Sequence, residues 1–269
     1  MESKVEGLLI HKVVQGDRNI VAKLLLRSGR IVSVIFYGGQ GGGKKIKPSI
    51  LELGFMFIID LKEGSLKSKD LFSAKEWEVM WRHSQIRFDH EAYYLMCFYL
   101  EMILKISTQD DLHDKNREFD KSLEGMFRVL SNAIFYLEDS LVKKVFNRST
   151  HLCLFILKLI FELGITPQTQ DCIFCKQDLR KLNNIFLVPE HGGFVCDSCI
   201  DVNVNVKKQD MPDGGKDLLN LFNHVYAMKF QDYSMLLTSD KDLSHVLVNY
   251  LFYQLGFAKN NFKTIPFVL

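Results

Sequence analysis

The hydrophobic pattern of the chain changes period near residue 75. Before that point the apolar residues fall in short, β-branched-rich runs: VEGLLIHKVV at 5–14, IVAKLLL at 20–26 and RIVSVIFY at 30–37. Gly16-Asp17 and Ser28-Gly29 separate them, and such pairs mark turns between strands. Two more strand-like runs follow at 50–59 and roughly 70–74. Five short strands with no helical signal before Lys75 predict a small barrel, and an OB-fold is the natural candidate.

Beyond residue 74 the spacing becomes helical. Ser73 is placed to cap a helix running through Lys75, Glu76 and Trp77, with Glu76 at the capping-box position. The stretch EAYYLMCFYLEMILKI at 91–106 is apolar nearly all round and predicts a buried helix. A polar connection spans 107–120, and further helices are expected at 123–137 and 150–163. Gly164 and Pro167 end the last of these. Amphipathic stretches at 217–228 and 239–255 are expected to pack back on the central helices. The second is capped by Ser239 or Asp240 and stopped by Gly256. The apolar tail KTIPFVL has no assigned role beyond docking on the core.

Between 163 and 203 lies the most specific chemistry. Cys172 and Cys175 form one CxxC pair, Cys196 and Cys199 another, with 20 residues between the pairs. Two such loops supply the four soft ligands that tetrahedral zinc prefers, and the spacing suits a short antiparallel ribbon bringing them face to face. Two disulfides, a redox pair or an iron–sulfur cluster use the same residue type. Nothing in the chain points to an oxidising compartment, however, and no ferredoxin spacing occurs. With four cysteines the site is closed, so the zinc is read as structural. Cys97 and Cys153 lie in apolar helical runs and are read as core residues. The expected architecture is α+β and multidomain. An OB-fold barrel over 1–75 precedes an α-helical domain over 76–269, into which a four-cysteine zinc module is inserted at about 168–203.

The net charge of +2 hides an asymmetry. Residues 1–75 hold 13 Lys/Arg against 7 Asp/Glu, and the remainder 21 against 25. A basic barrel suits an anionic partner. The loop GGQGGGKKIKP at 38–48 nearly matches a P-loop, but Lys45 stands where a hydroxyl must reach magnesium, and Pro48 precedes a strand-like run instead of a helix. It is read instead as a loop carrying Lys44, Lys45 and Lys47 toward a phosphate backbone, the alternative being a solvated loop with incidental lysines. Arg27 and Arg30 join them as candidate DNA contacts, with Lys23 a weaker candidate because its strand position allows an inward orientation. Phe36 and Tyr37 are candidates for base stacking, with burial in the barrel the favoured reading. The eight histidines form no ligand pair, and no nucleophile elbow, triad or carboxylate dyad emerges, so no enzymatic activity is expected. The opening MESKVEGLLIHK is not a signal peptide, and 152–163 is too short to span a bilayer. A cytoplasmic protein with no membrane partner is the expectation.

The order of parts resembles the RecO family of bacterial recombination mediators. Three local matches carry the resemblance. Gly7-Leu8-Leu9-Ile10 through Gly29-Arg30 is similar to the family's opening strands. Leu163-Gly164-Ile165-Thr166-Pro167 followed by Cys172-Ile173-Phe174-Cys175 resembles its approach to the first cysteine pair, and Gly192-Gly193-Phe194-Val195-Cys196 its approach to the second. The chain departs from the family at Gln15-Gly16-Asp17, where Tyr-Gly-Glu is common, and in the apolar Phe155-Ile156-Leu157-Lys158 segment, where the family's helix is richer in charge. The resemblance implies a protein that binds single- and double-stranded DNA and anneals complementary strands. With RecR, it would load RecA onto DNA coated by single-stranded-DNA-binding protein. It implies nucleoid association and a pocket for the coating protein's acidic C-terminal tail, but the apolar 155–158 segment weakens that carry-over; Lys143, Lys144 and Arg148 just upstream are candidates in its place, although an ordinary solvated helix face would look the same. A zinc-stabilised RNA-binding or translation-associated protein would share the barrel and metal module, and a metal-assisted enzyme would need a water-accessible zinc.

Overall fold

The computed structural model describes residues 3–41, 50–63, 71–113, 124–203, 214–225, 227–232 and 241–269. The chain divides into two compact units, Met1–Lys144 and Val145–Phe267, the last two residues aside.

In the first unit, strands β1 (Ser3–Gln15), β2 (Asn19–Leu26), β3 (Ile31–Phe36), β4 (Met56–Glu63) and β5 (Leu71–Trp81) close a barrel in the order β1-β2-β3-β5-β4. β4 returns antiparallel to β1, and β3 meets β5 in parallel, which is the five-stranded OB-fold closure. Alternation fixes which side chains enter: Ile20, Ala22 and Leu24 of β2 point inward with Val32, Val34 and Phe36 of β3 and Phe57, Ile59 and Leu61 of β4.

The structure corrects the sequence reading in two places here. Ser73 does not cap a helix: it pairs with Lys62 inside β5, and Ala74 is buried opposite Leu61. Barrel closure needs this fifth strand, and the alternation of exposed Glu76, Glu78 and Met80 with half-buried Trp77, Val79 and Trp81 carries it past residue 75. The strand expected from residue 50 begins only at Met56, because the 50–55 segment turns under the barrel. There Leu9 N–H donates to Phe55 O at 3.0 Å, and Gly54 N–H donates to Leu9 O at 2.8 Å.

Among the described residues, α1 (His90–His113) and α2 (Glu124–Val142) follow the barrel in this unit. Asp89 Oδ1 caps α1 by accepting from Ala92 N–H at 2.9 Å. Between β5 and α1 the chain makes a tight turn whose backbone donors converge on the carboxylate of Glu138 in α2. Ser84, Gln85 and Ile86 N–H donate to it at 2.7–3.0 Å, and Ser84 Oγ adds a contact at 2.8 Å. One side chain thus satisfies three N–H groups that no strand or helix partner reaches.

The second unit is built around α3 (Arg148–Glu162) and α6 (Lys241–Gln254), with the cysteine module between them in sequence. Asn147 Oδ1 caps α3 by accepting from Thr150 N–H at 2.9 Å. α3 buries an apolar face against α6, where Cys153 Sγ lies 3.2 Å from Ser244 Oγ. Tyr250 donates its hydroxyl to Ile165 O at 2.8 Å just beyond α3. The stop at Gly256 holds, with Phe257 N–H reaching back to Phe252 O at 2.8 Å, whereas the proposed caps Ser239 and Asp240 lie outside the described residues. Phe252, Phe257 and Phe262 cluster with centroids 4.6–6.0 Å apart, and the tail ends in a short helix, α7 (Ile265–Val268). Among the described residues, no helix is long and apolar enough to cross a membrane.

Burial alone would raise the Glu138 pKa, but the donors at Gln85, Ser84 and Ile86 outweigh it and hold the carboxyl below its ordinary 4.5. A depressed native pKa adds stability above the unfolded value, and that stability is lost as pH falls through the native one. Glu138→Gln should therefore lower unfolding stability by about 1–2 kcal/mol at neutral pH. In denaturant titrations its gap to the parent should close once the pH drops below the ordinary glutamate range.

Candidate metal centre and nucleic-acid surface

Each cysteine pair sits on a local structure that its neighbours dictate. In the first, Lys176 adopts a left-handed conformation (φ 61°), which lets Lys176 N–H donate to Cys172 O at 3.0 Å and Cys172 N–H to Gln177 O at 2.9 Å. In the second, the hairpin of β6 (Ile185–Val188) and β7 (Gly193–Cys196) delivers Cys196 to the start of α4 (Asp197–Asn203), whose first turn carries Cys199. The pairs are held face to face by Ile173 N–H donating to Phe194 O at 3.1 Å and Gln168 N–H to Gly192 O at 3.1 Å. Gly193 is required by this approach, since a Cβ there would fall 2.7 Å from Ile173 Cγ2. Behind the hairpin, α5 (Gly215–His224) opens on Gly215, where a Cβ would fall 1.8 Å from Ile185 O. Gln254 of α6 also donates to Pro189 O at 2.7 Å, at the tip of the hairpin.

As a result all four Sγ atoms lie within 4.8 Å of one another, a group that could hold a metal ion. Cys175 and Cys196 Sγ are 3.6 Å apart. A tetrahedral zinc with bonds of about 2.3 Å sets sulfur–sulfur edges of about 3.8 Å, so the residues fit that ion. Burial alone would raise the Cys172 thiol, but N–H donors from Cys196, Cys175 and Phe174 bring it down to about 6. Burial and the neighbouring thiols push Cys199 up to about 12, and burial likewise raises Cys196. Thiolates this close repel one another, so ligation by all four sulfurs in the deprotonated form needs a positive ion among them. Cys97 is half-buried and Cys153 buried, away from this group.

On the barrel, Arg30 is exposed at the β2–β3 turn and makes no ion pair among the described residues. Arg27 at the same turn pairs with Glu6 and holds its guanidinium 5.6 Å from the ring centre of Phe127 in α2. Lys23 is half-buried on the outward face of β2, between inward Ala22 and Leu24. Lys44, Lys45 and Lys47 lie outside the described residues. Phe36 is fully buried, edge-on to Trp77 at 5.1 Å, but Tyr37 is 57% exposed, so burial is the wrong reading for that residue. The strand ends at Phe36 and frees the next side chain.

A cleft of about 650 Å³ opens on the β4–β5 side, lined in part by Asp60, Glu76, Trp77 and Glu78. Lys4, opposite Asp60 in register, and Gly38, Gly39 and Gly41 after β3 line it as well. Lys143 reaches Asp139 at 2.7 Å, Lys144 follows the end of α2 at φ 59°, and Arg148 opens α3.

A family model described as the C-terminal region of recombination protein O matches residues 87–261. The chain belongs to the RecO family. RecO proteins serve DNA repair and recombination, and the match spans α1 to α6, including all four cysteines. No curated protein matches the chain.

The cysteine geometry predicts one metal per chain by elemental analysis of the purified protein. Cys196→Ser should lose it, and with it the cooperative unfolding of the second unit. Metal held with parental affinity in that variant would mean that Cys196 is not one of its ligands.

Proposed function

We propose that this RecO chain is a recombination mediator without bond-making activity. It binds single- and double-stranded DNA irrespective of sequence and anneals complementary strands. With RecR, it promotes loading of RecA onto DNA coated by single-stranded-DNA-binding protein. The family match over residues 87–261 carries the reading. The closed barrel and the exposed Arg30 at its β2–β3 turn support it.

The physical task of annealing is to bring two polyanions together. Cations on the barrel lower that repulsion by replacing condensed counterions on both backbones. Arg27, Arg30, Lys44, Lys45 and Lys47 are the residues assigned to it, with exposed Tyr37 close to the last strand position of β3. Contacts to the phosphate backbone carry no sequence information, so binding is independent of sequence. Structural zinc in the Cys172, Cys175, Cys196 and Cys199 site folds the module and has no open position for chemistry. Lys143, Lys144 and Arg148 are assigned to the acidic tail of the coating protein. The protein would act in the cytoplasm, at the nucleoid.

The test is annealing of complementary oligonucleotides precoated with the cognate single-stranded-DNA-binding protein. The parent should anneal them quickly, and adding salt should slow it. A Lys44/Lys45/Lys47→Ala variant should anneal roughly tenfold or more slowly at moderate salt. Annealing that survives the triple change moves the DNA site off this loop. No annealing by the folded, metal-loaded parent refutes the mediator reading.

A further inference from the structure

Trp81 and Phe135 are not used by the reading above. Trp81 is the last residue of β5, and its ring lies 5.9 Å from that of Phe135 in α2, tilted by 43°. Phe135 is 46% exposed on α2 and also meets the Tyr136 ring edge-on at 5.1 Å. It lies on the same helical stripe as Arg128, seven residues earlier, and both are exposed. Asp139 continues the stripe, but its carboxylate is engaged by Lys143 at 2.7 Å. Arg82 follows Trp81, exposed and making no ion pair among the described residues. At the other end of α2, Phe127 adjoins Arg128 and receives the Arg27 guanidinium from the β2–β3 turn.

Arg27 and Arg128 therefore lie toward the start of α2, and Phe135, Trp81 and Arg82 further along it. The step from Arg128 to Phe135 covers about 10 Å along the helix, roughly the rise of three stacked nucleotides. Aromatic faces set among cations are what sequence-tolerant single-strand sites use, since every base offers a π-face. A duplex hides its base faces, so such a surface distinguishes single from double strands. The acidic carboxylates of the β4–β5 cleft are not part of it.

We infer that Trp81 and Phe135 form a base-stacking platform for single-stranded DNA, with Arg128 and Arg82 contacting the flanking phosphates. The inference rests on the DNA-binding reading and extends that surface from the barrel onto α2. It gives the protein a way to prefer an unpaired strand while still binding duplex through backbone cations.

The experiment uses the full chain and oligothymidylate, with a duplex of equal length in parallel. Phe135→Ala should weaken single-strand binding roughly tenfold and leave duplex binding within about twofold, while Phe135→Tyr keeps both near parental. The chain has two tryptophans, so in a Trp77→Phe background Trp81 is the lone reporter. Its emission should be quenched by oligothymidylate and unchanged by duplex. Unchanged single-strand affinity in Phe135→Ala, equal losses on both substrates, or no quenching would each overturn the platform while leaving DNA binding intact. A parent protein that binds neither substrate would overturn the DNA-binding reading and the platform with it.

Discussion

Four sulfurs drawn within 4.8 Å of one another form the constraint on which the second unit depends. Thiolates at that separation repel strongly, and thiols that remain neutral provide little attraction, so a cation is what makes the convergence favourable. The surrounding chain is shaped to that convergence. Gly193 lets the two loops touch, Gly215 lets α5 lie on the hairpin, and Gln254 ties the hairpin tip to α6. Lys158 of α3 donates to the carbonyls of Val225 and Met228, which anchors the residues following α5. A module with so small an apolar core of its own draws order from the metal site and from α3 and α6 on either side in sequence.

The first unit is held by a different device. Its barrel closes only when β5 inserts beside β3, and the chain leaving β5 must then turn sharply into α1. That turn exposes N–H groups without strand or helix partners, and Glu138 supplies one carboxylate for them. The same packing sets Trp81 beside Phe135 and Arg27 beside Phe127.

Legibility in the sequence followed the range of the interactions. The alternation of Ile20, Ala22 and Leu24, the glycine stops at Gly164 and Gly256 and the paired CxxC loops are local patterns, and each was readable from the chain. The Ser73 capping signal is equally local, but a strand position between Leu61 and the barrel interior overrode it. The counter-signal was present in the alternation from Glu76 to Trp81, which a helical reading of the same residues obscured. Glu138 had no readable signal. A carboxylate on a helix is ordinarily solvated, and its partners lie 52 to 54 residues away in the chain. The exposure of Tyr37 and Phe135 is likewise a property of the packed chain, since an aromatic residue in an apolar run reads as core.

The central claim is that this surface engages DNA through its phosphates. It is tested most directly by the salt dependence of binding to a single-stranded oligonucleotide, a duplex of mixed sequence and a structured RNA hairpin. The account predicts that both DNA forms bind irrespective of sequence. The logarithm of affinity should fall linearly with the logarithm of salt concentration, by about 0.9 per phosphate neutralised on the duplex. Tighter binding to the RNA hairpin, or affinity that does not respond to salt, would contradict it.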